Sequence, residues 1–206
     1  MPAQSPDPLY VIVSIVIVLA SLTVHEAAHA WTSNHLGDPT AKQLGRVSLN
    51  PLVHLDLIGS VVLPLVAAAS NMPILGWAKP VPVDMRRLRN PRRDFMIVAA
   101  AGPISNILLA VIGAVVIAVT ATPLTYESPL HGWVEINILL AVFNLLPVPP
   151  LDGGNVLMGL LPPNTARAVD SIRPFGIIIL YGLMLSGVLT RIIMPPARFL
   201  WELLIL

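Results

Sequence analysis

The hydrophobic pattern of this chain is dominated by long, almost uncharged stretches. Crossing the hydrocarbon core of a bilayer takes roughly 20 mostly apolar residues in a helix. Four stretches meet or approach that length, at about 9–34, 96–120, 133–150 and 174–193. The pattern therefore predicts a polytopic helical membrane protein.

A fifth apolar stretch, about 52–75, is harder to place. Lys42 and Arg46 precede it, and Lys79 with the cluster Arg86 to Arg93 follows it. Because Lys and Arg concentrate in cytoplasmic loops, both of its flanks are predicted to be cytoplasmic. The stretch is then re-entrant or interfacial, with an ordinary span as the alternative. Its internal Gly59 and Pro64, together with the break Asn71-Met72-Pro73, favour a non-helical backbone shielded by protein or water.

Loop charge also gives an orientation for the spans. The segment Met1 to Pro8 and the loop 122–132 carry no Lys or Arg, so both are predicted to lie outside. The N-terminal segment lacks the positive region of a signal peptide, and the first span is expected to be retained. The C-terminal end of the first span is then predicted to face the cytoplasm.

Composition agrees with this fold class and excludes several functions. The 206 residues are 55% hydrophobic and 11% charged, whereas soluble domains carry roughly 25% charged residues. We predict a single integral membrane domain, 1–206, built as an all-α bundle of about four to six transmembrane segments with short β-like loops. A net charge of +1 gives no sign of nucleic acid binding, and the absence of cysteine leaves His, Asp and Glu as metal ligands.

The pentapeptide His25-Glu26-Ala27-Ala28-His29 lies inside the first apolar stretch. Ionisable residues are costly in hydrocarbon and usually mark a functional site there. Residues four apart lie on one helix face, so His25 and His29 can bind one zinc ion while Glu26 serves as general base.

Catalytic zinc commonly has a third protein ligand, and three residues are candidates. His35 follows His25 at the spacing of soluble metzincins but points away on a continuous helix, which Gly37 is expected to end. His54 opens the fifth stretch and is better suited to a supporting role near the substrate. Asp152 follows Pro147, Pro149 and Pro150 and precedes two glycines. Although Asp is also a good helix N-cap, Asp152 is the preferred third ligand.

These motifs resemble those of the site-2 protease family of intramembrane zinc metalloproteases, in its compact bacterial form without a PDZ domain. The resemblance covers most of the chain and implies a bacterial cytoplasmic membrane. It rests on His25-Glu26-x-x-His29, Asn50-Pro51-x-x-His54-x-Asp56, Gly76-Trp77-Ala78-Lys79-Pro80-Val81-Pro82-Val83, Ala101-Gly102-Pro103-x-x-Asn106 and Asn144-Leu145-Leu146-Pro147-x-Pro149-Pro150-Leu151-Asp152-Gly153-Gly154. It implies one zinc bound by His25, His29 and Asp152, with Glu26 catalytic and Asn144 holding the substrate backbone or the oxyanion. Leu57 departs from the family pattern, which has proline there.

The expected activity is hydrolysis of peptide bonds in or near transmembrane segments of membrane proteins. Strand addition to an edge within 37–50 or 76–84 would hold the unwound substrate.

Gly102 and Pro103 are predicted to allow close helix packing and a kink, while Asn106 is suited either to helix pairing or to the site. The alternatives are a metal transporter or sensor, in which Glu26 would matter little, and an idle protein that presents client helices.

Overall fold

The computed structural model describes residues 8–70, 76–123, 125 and 128–206. Within them lie nine α-helices: α1 (Pro8–His35), α2 (Thr40–Gln43), α3 (Leu63–Ala69), α4 (Pro91–Thr120), α5 (Pro129–Asn144), α6 (Asp152–Leu160), α7 (Pro163–Asp170), α8 (Gly176–Leu185) and α9 (Val188–Ile205). A 3₁₀ turn at Pro51–Val53, a π-helical segment at Leu57–Val62 and a 3₁₀ turn at Arg173–Phe175 complete the helical elements. The described residues form no strand, which confirms the all-α fold class.

Among the described residues, three segments are long and apolar enough to cross a membrane: Leu9–His35, Pro91–Thr120 and Pro163–Leu185. The first two contain the predicted spans 9–34 and 96–120, and the protein is an integral membrane protein. The predicted span 174–193 is divided, because Gly187 adopts a φ of 71° between α8 and α9. The predicted span 133–150 corresponds to α5, whose 16 residues end before Pro147.

Contacts between side chains give the directions of the three central helices. His29 meets Val98 and His25 meets Asn106, so α4 runs antiparallel to α1. Ile17 lies beside Gly132, and Ser21 meets Asn137, so α5 runs parallel to α1. A buried apolar cluster joins α4, α5 and α9 through Ala110, Ile117, Val134, Ile138, Val142 and Ala197.

Local sequence explains where the spanning helices begin and end. Gly37, with a φ of 112°, follows the end of α1 at His35 and confirms the predicted stop. Pro91 opens α4, and Asp94 accepts a hydrogen bond from the backbone N–H of Asn90 at 2.7 Å. Proline suits the first helical turn because no intrahelical partner is available there for its missing N–H.

The fifth apolar stretch is helical over 57–69, contrary to the predicted non-helical backbone. The π-helical segment continues directly into α3, with Pro64 as the second residue of α3. A π-helical bond would join Pro64 to the carbonyl of Gly59, but proline has no N–H to donate. That carbonyl instead accepts the N–H of Trp77 at 3.2 Å. The predicted break Asn71-Met72-Pro73 lies outside the described residues.

The two ends of this stretch are hydrogen-bonded to each other. Besides the bond from Trp77 to Gly59, the N–H of Lys79 donates to the carbonyl of His54 at 2.8 Å, and the hydroxyl of Ser60 donates to the carbonyl of Trp77 at 2.8 Å. A segment that crossed the bilayer would leave its ends about 30 Å apart. These contacts argue against a single crossing of the bilayer between His54 and Lys79, and the re-entrant or interfacial course of 52–75 stays a prediction.

Candidate metal centre

Three side chains from two distant parts of the chain converge where α1, α4 and α6 meet. The Nε2 atoms of His25 and His29 lie 3.1 Å apart, and Asp152 Oδ2 lies 3.0 Å from the first and 3.3 Å from the second. Both histidines are buried, and Asp152 is half-buried. The HisxxxHis spacing on one helix face brings the two rings together, as expected from the helical repeat.

The remaining ring nitrogens show which atoms are available to a metal. His25 Nδ1 lies 2.6 Å from Asn106 Oδ1, and His29 Nδ1 lies 2.7 Å from the carbonyl of Val98. Because a carbonyl can only accept, Nδ1 of neutral His29 carries the proton, and the same holds for His25 when Asn106 presents its oxygen. Both Nε2 lone pairs then face Asp152 Oδ2. Three lone-pair atoms that converge in this way repel one another unless a metal ion or a proton lies between them.

The donor set and spacing suit zinc. Tetrahedral zinc takes nitrogen and oxygen ligands at about 2.0–2.2 Å, which places neighbouring ligand atoms roughly 3.3 Å apart. The observed separations of 3.0, 3.1 and 3.3 Å are close to that value. Among the residues that the structure describes, these three form the ligand group, which would leave a bound ion open to water or substrate.

Gly102 in α4 lies directly against the metal-binding atoms. A Cβ atom at this position would stand 2.5 Å from Nε2 of both His25 and His29, closer than real Cβ contacts occur. The prediction of close helix packing at Gly102 is therefore incomplete, because the neighbours that require glycine are the two imidazoles. Pro103 follows within the same helix and lacks the N–H that would bond the carbonyl of Ala99.

Asp152 reaches the site because residues 145–149 pack tightly against the first turn of α6. A Cβ atom at Gly153 would overlap the carbonyl of Leu145, and one at Gly154 would lie 2.6 Å from the nitrogen of Pro149. Only glycine permits this approach of backbone to backbone. The Leu-Asp-Gly-Gly sequence thus brings the first residue of α6 against the end of α5.

The other predicted site residues occupy distinct positions. Glu26 is half-buried and follows His25 on α1. Asn144 is the last residue of α5, next to the Leu145 carbonyl that packs on Gly153, and its amide donates to the carbonyl of Leu140 at 3.0 Å. The catalytic roles of Glu26 and Asn144 stay predictions.

The two rival third ligands lie elsewhere. His35 is exposed and stacks on Trp31, with 4.7 Å between ring centroids. His54 is buried, and its Nε2 donates to the carbonyl of Ser48 at 2.8 Å. Neither belongs to the group of His25, His29 and Asp152. A supporting role for His54 stays a prediction.

A second set of contacts, which we call the loop cluster, joins residues 46–60 to residues 76–84. Its centre is Arg46, which is buried and donates through its guanidinium to the carbonyls of Val53, Lys79 and Pro80, the last two at 2.6 and 2.9 Å. The Asn-Pro-x-x-His-x-Asp motif lies here. Asn50 Oδ1 accepts the N–H of Leu52 at 3.1 Å, and Asp56 Oδ1 accepts the N–H of Gly59 at 2.7 Å.

Asp38 connects the loop after α1 to the end of the same cluster. It is fully buried and accepts hydrogen bonds from Thr40 Oγ1 at 2.5 Å, the N–H of Thr40 at 3.0 Å and the N–H of Asp84 at 2.7 Å. Burial alone would raise the pKa of this carboxyl. The bonds from Thr40, Asp84 and Ser33 outweigh burial and hold the pKa of Asp38 below its ordinary 3.8.

Sequence reasoning missed several residues that support these arrangements. Asn137 and Ser21, both fully buried, lie behind His25, and Arg46 was interpreted only as a topology signal. An amide inside the apolar helix α5 was a usable signal, because polar side chains are costly in hydrocarbon. Ser21 carried no comparable signal.

Comparison with known proteins adds a family assignment to this geometry. Residues 124–185 match the model of peptidase family M50. The chain is 34% identical to "Putative zinc metalloprotease YwhC" of Bacillus subtilis over 88% of this chain and 84% of the relative. It is 32% identical to "Putative zinc metalloprotease Rip2" of Mycolicibacterium smegmatis, over 92% of this chain and 74% of the relative. No solved structure matches significantly. The chain belongs to peptidase family M50, the site-2 protease family of membrane zinc metalloproteases.

Proposed function

We propose that the protein is an intramembrane protease with one zinc ion held by His25, His29 and Asp152. The observation that carries this proposal is the convergence of the lone-pair atoms of His25, His29 and Asp152 within the helical bundle. A glutamate, Glu26, directly follows His25 on α1. An all-protein cage would favour storage or transport, whereas three ligands suit catalysis. The whole chain, 1–206, acts as one catalytic domain.

A zinc ion at this site supplies Lewis-acid chemistry, activating water and polarising the carbonyl of the bond to be cut. Glu26 accepts the proton of the attacking water as general base and then delivers it to the leaving amine. Its place one residue after His25 supports this role, because the carboxylate and the ligand share one helical turn.

Asn144 is proposed to bind the substrate backbone or to stabilise the oxyanion. Its position supports this role, because the Leu145 carbonyl, next in the chain to Asn144, packs on Gly153, the residue after Asp152. A preorganised donor of this kind lowers an acyl-transfer barrier by about 3–4 kcal/mol in proteases.

The proposed substrates are transmembrane segments of other membrane proteins. A helical substrate must unwind locally before attack, because its carbonyls are already hydrogen-bonded. Residues 76–84, which follow the apolar stretch 52–75 without forming a helix or strand of their own, are a candidate for pairing with the unwound segment. His54 supports this region through its bond to Lys79.

The proposed membrane is the bacterial cytoplasmic membrane, with the site toward the cytoplasm. The basic residues Lys42, Arg46 and Lys79 all belong to the end of the bundle at which α1 terminates. The positive-inside rule places that end in the cytoplasm.

The test compares the wild type with Glu26→Gln in detergent, measuring zinc content and cleavage of several transmembrane substrates. We expect both proteins to bind one zinc ion and the variant to lose at least about 100-fold in cleavage rate, as for removal of a general base. A His29→Ala variant is the control for metal binding and should lose both zinc and cleavage. Equal cleavage by the wild type and Glu26→Gln would remove Glu26 from the mechanism, and equal zinc content in His29→Ala would remove the proposed site.

A further inference from the structure

The two proposed histidine ligands are supported in different ways. His29 Nδ1 bonds to a main-chain carbonyl, that of Val98, whereas His25 Nδ1 bonds to a side-chain amide, that of Asn106. A carbonyl can only accept a hydrogen bond, so it fixes the proton on Nδ1 of His29. An amide can present either its oxygen or its NH₂ group, so Asn106 alone fixes nothing.

Two further groups decide which way the Asn106 amide points. Asn106 Nδ2 lies 2.9 Å from Asn137 Oδ1 and 3.4 Å from the main-chain carbonyl of Ser21. Asn137 Nδ2 lies 2.9 Å from Ser21 Oγ and 2.9 Å from the main-chain carbonyl of Trp133. Ser21, Asn106 and Asn137 are all fully buried, so solvent offers no alternative partners.

The main-chain carbonyls of Trp133 and Ser21 determine how the side-chain amides of Asn137 and Asn106 are oriented. If Asn137 were turned over, its oxygen would face the Trp133 carbonyl at a distance of 2.9 Å, and two acceptors would repel. If Asn106 were turned over, its oxygen would face both the Ser21 carbonyl and Asn137 Oδ1. Both amides therefore keep one orientation, with Asn106 Oδ1 directed at His25.

We propose that Asn106 and Asn137 are positioning residues that hold His25 in the Nδ1–H tautomer, with its Nε2 lone pair toward the metal. The order runs from the Trp133 and Ser21 carbonyls through Asn137 and Asn106 to His25, and we call this set of bonds the amide relay. In the opposite tautomer the proton would occupy Nε2 and remove the lone pair that faces His29 and Asp152. The relay rests on the proposed metal site but not on the proteolytic activity.

The relay makes a specific statement about metal affinity. Groups that orient a metal-binding histidine typically change metal affinity by 10–100-fold when they are removed. Asn106→Leu removes the acceptor for His25 and should lower cobalt and zinc affinity by about that factor. Asn137→Leu leaves the acceptor in place but removes its orientation, so a smaller loss is expected.

The experiment measures metal affinity by competition with a chelator and records the visible spectrum of the Co²⁺-loaded protein in detergent. The variants are Asn106→Leu, Asn137→Leu and the double variant. Because Asn137 acts only through Asn106, the double variant should bind metal as weakly as Asn106→Leu and no more weakly. The Co²⁺ spectrum should change in every variant that lacks Asn106, since the ring orientation of one ligand changes.

The matched control is Val134→Ala. Val134 is fully buried, lies one turn before Asn137 on α5, and belongs to the apolar cluster rather than the relay. It loosens packing on the same helix and should leave both metal affinity and the Co²⁺ spectrum unchanged.

Three results would overturn the relay. Losses that multiply in the double variant would show that Asn137 acts independently of Asn106. Equal loss in Val134→Ala would assign the effect to packing. Unchanged affinity in Asn106→Leu would show that the tautomer needs no support. If His29→Ala binds metal as well as the wild type does, the proposed site itself fails; if the wild type binds metal there without cleaving, only the proposed protease activity fails.

Discussion

Opposite kinds of contact hold together two parts of the molecule: the loop cluster and the group of His25, His29 and Asp152, here called the metal cluster. At the metal cluster, side chains from α1 and α6 meet one another, and glycines at 102 and 153 provide the space. In the loop cluster, side chains bind main-chain groups: Arg46 binds three carbonyls, and Asp56 caps a helical segment. The first arrangement depends on which side chains are present and how small their neighbours are, whereas the second depends on where the backbone runs.

The largest effect is expected where the metal cluster has least room. Gly102→Ala places a methyl group 2.5 Å from the Nε2 atoms of His25 and His29, so the rings must move apart. We expect zinc affinity to fall by more than about 100-fold, beyond the usual effect of a supporting residue. Competition with a chelator measures the loss.

A control on the same helix separates this effect from general crowding. Gly113→Ala would bring a Cβ atom to 2.7 Å from Trp133 Cδ1 and 2.9 Å from Val134 Cγ2, a similar overlap away from the metal. It should lower stability and keep zinc. Equal zinc affinity in Gly102→Ala and the wild type would contradict the role assigned to Gly102.

The loop cluster should respond in the reverse sense, losing local structure and keeping zinc. Arg46→Met leaves the carbonyls of Val53, Lys79 and Pro80 without their buried donor, at a cost of about 2–4 kcal/mol. The amides of Trp77 and Lys79, which bond to Gly59 and His54, should then exchange about 30- to 1000-fold faster.

Hydrogen exchange followed by mass spectrometry measures this opening, with zinc content recorded in parallel. The control is Arg86→Met, since Arg86 is exposed and its guanidinium pairs with Asp84 at the surface. If the exchange rates of the Trp77 and Lys79 amides are unchanged in Arg46→Met, Arg46 does not hold residues 77–79 against residues 54–59. A loss of zinc in that variant would show that the two clusters are coupled.

The smallest effect concerns Asp38 and the pH dependence of stability. Because its pKa is held below 3.8 in the folded protein, its contribution is present above pH 3.8 and is lost as pH falls through the folded-state pKa. Asp38→Asn should therefore lower stability at pH 7 by about 1–2 kcal/mol, with the difference from the wild type shrinking in acid.

Thermal unfolding in detergent between pH 7 and pH 3 tests this sign. Thr40→Val removes the hydroxyl that donates to Asp38 at 2.5 Å and should give an intermediate result. A difference between wild type and Asp38→Asn that grows as pH falls would refute the argument.

The contrast between the clusters also explains what the sequence could predict. The HisxxxHis spacing and the flanking prolines and glycines of Asp152 identified the three converging side chains, because each signal lies in residue type and spacing. The first two spans were predictable for the same reason. The division of 174–193 at Gly187 was not, since a glycine in an apolar run is also compatible with a continuous helix.

The loop cluster was far less predictable. Every residue has a main-chain carbonyl, so the sequence does not indicate which three carbonyls Arg46 binds or that the carbonyl of Gly59 accepts the N–H of Trp77. The helical course of 57–69 was missed because Gly59 and Pro64 were weighed by their ordinary preferences. The sequence identified Gly102 as a packing residue, but it could not show that the rings of His25 and His29 on α1 are its neighbours.

Every member of the amide relay is uncharged, and this has a consequence for the formal charge of the site. In the proposed site, Asp152 and the proposed base Glu26 would supply two negative charges against the two positive charges of a divalent cation. An aspartate at position 106 would also accept the proton of His25, but it would add one uncompensated negative charge to the buried site. Uncompensated charge costs several kcal/mol in such surroundings. Asparagine at this position orients the ligand while allowing the loaded site to be electrically neutral inside a membrane.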